Sequence, residues 1–92
     1  MILYENDVHC AIEGYAPMAG LRDAISDTAY VGLVSVGDYF QGGNVGSISR
    51  GGYIMDIMRR MSYDAVTLGN HEFDYGVPGL IELMTRFNAP IL

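Results

Sequence analysis

Val31-Gly32-Leu33-Val34-Ser35-Val36-Gly37-Asp38 is a nearly unbroken apolar, β-branched run that stops at Gly-Asp. Such a run, without polar alternation, predicts a strand covered on both faces, as in parallel sheets. Working outward, Ile2-Leu3-Tyr4 predicts an earlier strand ending at Asn6-Asp7. Asp64-Ala65-Val66-Thr67-Leu68 predicts a later one ending at Gly69-Asn70. Helical patterns fill the intervals. Pro17 occupies a first-helical position, and Met18, Leu21, Ile25 and Thr28 follow at helical spacing, predicting a helix over 17–28. Residues 41–52 are rich in Gly, Ser and Asn and read as a loop. Ile54, Ile57, Met58 and Met61 form the next helical stripe, with Arg59 and Arg60 in its last turn, where cations complement the helix dipole. Pro78 opens a third helix carrying Leu80, Leu83, Met84 and Phe87, with Asn88 as its C-terminal cap. Ala89-Pro90-Ile91-Leu92 reads as the start of a fourth strand. The predicted class is α/β, with order βαβαβαβ and helices packed on a parallel sheet.

Residues 1–92 contain no linker, low-complexity tract or repeat, and predict one unit. Half of the chain is hydrophobic and 17% is charged, which suits a core-forming domain and excludes a disordered one. The net charge of −6, with five basic residues, argues against a nucleic-acid polymer as partner. No apolar stretch reaches the roughly 18–20 residues of a membrane span. No basic segment followed by an apolar one precedes the first strand, so no signal peptide is expected. Cys10 is the only cysteine, which leaves no intrachain disulfide; no base stands at triad spacing, so it reads as a small loop residue, not a nucleophile.

Three polar clusters terminate the three strands: Asp7-Val8-His9, Gly37-Asp38-Tyr39-Phe40-Gln41-Gly42 and Gly69-Asn70-His71-Glu72-Phe73-Asp74. Asp7 and Asp38 are 31 positions apart, and Asp38 and Asn70 are 32 apart. One strand–helix–strand crossover takes about 30 residues. The clusters therefore meet beyond the carboxyl ends of adjacent strands, where open parallel sheets bind ligands. Asp7 and His9, two apart, point to one side if strand geometry continues past the strand end. Asp38 offers a carboxylate able to bridge two cations, and Asn70 offers an amide oxygen. This mixed set suits Zn²⁺, Mn²⁺, Fe²⁺ or Co²⁺ without choosing among them. His71, with Asp74 three residues on, follows the base-and-orienter pattern of acid–base catalysis. Glu72 reads as a structural hydrogen-bonding group. Each cluster alone also reads as a turn or a surface pair; their shared order and spacing favour a metal site.

The same residues carry a resemblance. Asn6-Asp7-Val8-His9, Gly37 to Gly42 and the run Tyr63 to Gly76 resemble the first three motifs of the calcineurin-like metallophosphoesterases. The third is similar to the 5′-nucleotidase branch, which includes UDP-sugar hydrolases and 2′,3′-cyclic-nucleotide phosphodiesterases. The resemblance implies the first half of a four-layer sandwich. It implies two divalent metals: Asp7 and His9 on the first, Asp38 bridging, Asn70 on the second. It also implies His71 over the phosphate, oriented by Asp74, and a nucleotide or other phosphoester as substrate. The family completes its site with later histidines, whereas this chain has only His9 and His71. The chain is thus expected to be the N-terminal part of a catalytic domain, with little activity alone. Its uncovered apolar surface and sheet edge would favour a homo-oligomer. Family members are commonly periplasmic or extracellular. The alternatives are a non-catalytic metal-binding or self-associating module, or a sugar-nucleotide or cyclic-nucleotide hydrolase of the same superfamily.

Overall fold

A computed structural model describes all 92 residues, Met1–Leu92. Strands β1 (Ile2–Glu5), β2 (Gly32–Ser35) and β3 (Ala65–Val66) form one parallel sheet in that order. Leu3 stands opposite Leu33, Glu5 opposite Ser35, and Ser35 opposite Val66. Helices α1 (Tyr15–Ser26), α2 (Gly43–Ser49), α3 (Gly52–Met61) and α4 (Gly76–Thr85) occupy the connections, with short 3₁₀ turns at Ile12–Gly14 and Asn70–Phe73. Right-handed crossovers between successive parallel strands place the connecting helices on one face of the sheet. Leu33, Val66, Tyr39, Phe40, Ile54 and Met58 are fully buried and anchor the core on that face.

The opposite face is open. Ile2 and Tyr4 are each 70% exposed, and Val36 is 49% exposed. The 31–36 strand is less open than β1: Val31, Gly32, Leu33 and Ser35 are buried, Val34 is half-buried, and only Val36, past the end of β2, is exposed.

Four corrections concern the elements. The 41–52 loop contains α2 and the start of α3. Gly-rich composition hid α2, which stops where Arg50 takes a left-handed conformation at φ 52°. Helix α1 starts at Tyr15, so Pro17 is its third residue, still within the turn whose N–H groups lack helical partners. It ends at Ser26, short of Thr28. Helix α4 starts at Gly76 and ends at Thr85, so Asn88 lies beyond its cap, Arg86. The fourth strand is a single bridge between Val66 and Ile91, held by Val66 N–H to Pro90 O (2.9 Å) and Leu92 N–H to Val66 O (2.8 Å). As expected, Arg59 and Arg60 lie in the last turn of α3.

Candidate metal centre

The strand ends converge. Asp7, His9 and Asp38 each present a ligand atom, and these atoms lie within 4.8 Å of one another. The route to this geometry is not strand alternation. Strand β1 stops at Glu5, and Asp7, His9 and Asp38 all adopt left-handed conformations, with φ of 56°, 49° and 60°. The chain turns sharply after each strand and keeps its direction through backbone bonds. Asp7 N–H donates to Gly37 O (3.2 Å) and His9 N–H to Asp38 O (3.0 Å). Asp and His can occupy this region, which most L residues avoid.

The ring of His9 is oriented for ligation. Its Nδ1 lies 3.1 Å from the main-chain oxygen of Gln41, which can only accept, so Nδ1 carries the proton. That leaves the lone pair on Nε2, 3.6 Å from Asp7 Oδ1. A second group that fixes the tautomer in this way is the usual support of a metal-bound histidine. The Asn6 amide donates to Asp7 Oδ2 (2.8 Å) and steadies that carboxylate. Carboxylates and one imidazole, converging and partly open to solvent, fit a divalent cation, which would also relieve the repulsion between the two acids.

The third cluster closes against the second. His71 N–H donates to Asp38 Oδ1 (2.8 Å), and the His71 ring lies 4.9 Å from that of His9, edge to face. His71 Nδ1 bonds Asp74 Oδ2 at 2.7 Å, leaving Nε2 free. This bond, and the negative charge of Asp74 behind it, raise the imidazole above its ordinary pKa. Asn70 opens the 3₁₀ turn, exposed, one residue before the Asp38 contact, and makes no side-chain hydrogen bond. Glu72 is 1% exposed and accepts four main-chain N–H groups: Gly69 (2.7 Å), Asp38 (2.7 Å), Tyr39 (2.6 Å) and Phe40 (3.2 Å). The loops pack without room to spare. A Cβ on Gly37 would stand 2.6 Å from Gly69 N, and one on Gly69 would overlap the Asp38 carboxylate.

Of the six residues singled out from sequence, Asp7, His9 and Asp38 share one cluster. His71 and Asp74 stand beside it as a bonded pair, and Asn70 flanks it. Sequence reasoning assigned no role to Gln41. It acts on His9 from 32 positions away, and no local pattern marks such a partner. Cys10 is buried, as its thiol faces the carbonyls of Tyr39 and Phe40, and burial pushes it up to about 11. It lies in a turn, as expected, and its thiol links the first two clusters.

Known proteins with similar sequence and fold include 5′-nucleotidases and a calcineurin-like phosphoesterase. The chain is 36% identical over 110 residues to a 5′-nucleotidase of Bos taurus, covering 99% of this chain and 19% of the bovine protein. It is 33% identical over 109 residues to the snake venom 5′-nucleotidase of Gloydius brevicauda, covering 99% and 18%. The crystal structure of a 5′-nucleotidase precursor from Thermus thermophilus superposes with a TM-score of 0.85 at 30% identity, over 96% of this chain and 21% of that one. The calcineurin-like phosphoesterase YfkN of Bacillus subtilis superposes with 0.82 at 27%, over 99% and 35%. The chain spans about a fifth of the length of these curated relatives. No protein-family model matches it.

Proposed function

We propose that this chain, which belongs to the 5′-nucleotidase branch of the calcineurin-like phosphoesterases, carries one wall of a two-metal site that hydrolyses nucleotide phosphoesters. The observation that carries the reading is the convergence of Asp7, His9 and Asp38 beside the His71–Asp74 pair. Two divalent cations of the Zn, Mn, Fe or Co class would supply Lewis-acid charge and an activated water for in-line displacement at phosphorus. Asp7 and His9 Nε2 would hold the first cation, Asp38 would be shared between the two, and Asn70 would offer its amide oxygen to the second. Asp74 engages Nδ1 of His71 and favours the imidazolium, the form in which Nε2 would carry a second proton. From there His71 stabilises the phosphoryl oxygens or gives the proton to the leaving oxygen.

Residues 1–92 would then be the N-terminal part of a catalytic domain, weakly active or inactive alone, because Asp38 and Asn70 are a sparse ligand set for a second cation. Their open sheet face favours cover by further protein. Three of the relatives are venom enzymes by name, and we place the parent protein outside the cytoplasm on that ground and the family resemblance. No helix is long and apolar enough to cross a membrane.

The test has two arms. Titration calorimetry with Mn²⁺ or Zn²⁺ should show binding to this chain, lost or weakened at least tenfold in Asp38→Asn. The full product of the gene should hydrolyse AMP, UDP-glucose or bis-p-nitrophenyl phosphate. A full-length protein that holds metal yet is inert on all three sinks the hydrolase reading and leaves a metal-binding or self-associating module.

A further inference from the structure

Glu72 has a buried carboxylate whose four hydrogen bonds all go to backbone. Oε1 accepts from Tyr39 and Phe40, and Oε2 accepts from Asp38 and Gly69. Three of the four donors belong to the second cluster and one to the third. The exchange is reciprocal: Glu72 takes the main-chain N–H of Asp38, while the Asp38 carboxylate takes the main-chain N–H of His71 (2.8 Å).

The sheet itself does not need this arrangement. Strands β2 and β3 are already tied by Asp64 N–H to Leu33 O (2.8 Å) and Thr67 N–H to Ser35 O (3.0 Å). The Glu72 bonds begin where that pairing ends, at the segments that carry Asp38 and Asn70. Asp38 sits at φ 60°, a conformation that L residues rarely adopt unless surrounding bonds impose it. Charge-assisted bonds to a carboxylate are the strong kind, and a buried charge survives only when its lone pairs are filled in this way.

We propose that Glu72 is a positioning residue that assembles the half-site before any metal arrives. It holds Asp38 in its left-handed conformation and sets the Asn70–His71 segment against it. This rests on the metal reading above and adds to it a residue that touches neither cation nor substrate. Glutamine at position 72 keeps the volume but has one acceptor oxygen, so at least two of the four N–H groups lose their partner.

Mn²⁺ affinity, measured by calorimetry on the 92-residue chain, should fall 10- to 100-fold in Glu72→Gln, the range for groups that orient metal ligands. Leu83→Ala, a core change on α4, is the control for simple destabilisation and should keep the wild-type affinity within twofold. Glu72→Gln binding within twofold of wild type overturns the inference, as does an equal loss in Leu83→Ala. If the wild-type chain binds no Mn²⁺, the metal reading itself fails, a separate result. If Glu72→Gln does not fold, amide exchange in the metal-free wild type decides. The N–H groups of Asp38, Tyr39, Phe40 and Gly69 should be protected; exchange at exposed-loop rates for these four overturns preassembly.

Discussion

His71 and Asp74 form a contact 2.7 Å long on the rim of the site, with His71 raised by that bond and by the Asp74 charge. A histidine raised on folding stabilises the fold fully below its unfolded pKa, and the contribution is lost as pH rises through the folded value. The pH window therefore opens at the ordinary value of 6.5 and extends upward. An NMR titration of the metal-free chain should place His71 above 6.5, and Asp74→Asn should move it down. A His71 value unaffected by Asp74→Asn would remove the orienting role. At this scale the sequence was informative about identity and silent about conformation. Asp7, His9 and Asp38 were legible from type and spacing. Their left-handed φ values were not, because Asp and His tolerate that region without demanding it. The Glu72 bonds to residues 38–40 were equally hidden, since their donors are backbone groups that every residue carries.

Helix α3 contributes more buried residues to the core than any other helix. Ile54, Met55 and Met58 are completely buried, and Met61 nearly so. Met58→Ala should cost about 2–5 kcal/mol, the usual range for emptying a buried large apolar site. In a domain this small that lowers Tm by roughly 10 °C or more. Leu21→Ala on α1 should barely move Tm, because Leu21 is 50% exposed although it falls in the predicted apolar stripe. Thermal unfolding followed by circular dichroism checks both; equal shifts would mean that α1 buries more than its exposure indicates. The long periodic elements were legible because burial repeats along them. Helix α2 was not, since Gly43, Gly46 and the serines signal a loop locally while packing against Cys10 and α3 decides otherwise. The fourth strand was over-read, as its apolar residues make one bridge to Val66.

The whole molecule has a covered face and an open one. Ile2 and Tyr4 stand on the edge strand β1, each 70% exposed, with Val36 beside them at the end of β2. Exposed apolar surface next to an unpaired strand edge promotes association. Sedimentation velocity of the isolated chain should show oligomers growing with concentration, and Ile2→Lys with Tyr4→Lys should shift it toward monomer. A monomer at all concentrations would mean that this face is not adhesive by itself. From sequence alone came the α/β order, the direction of the strands and the meeting of three polar clusters at one end. Those follow from the 31- and 32-residue intervals and the apolar patterning, both properties of the chain itself. Which sheet face is covered, how the strand-end turns bring Asp7, His9 and Asp38 together, and which main-chain N–H groups meet the Glu72 carboxylate depend on backbone groups meeting across more than 30 residues of chain. Every residue carries those groups, so their partners become distinct only once the fold brings them within hydrogen-bond reach.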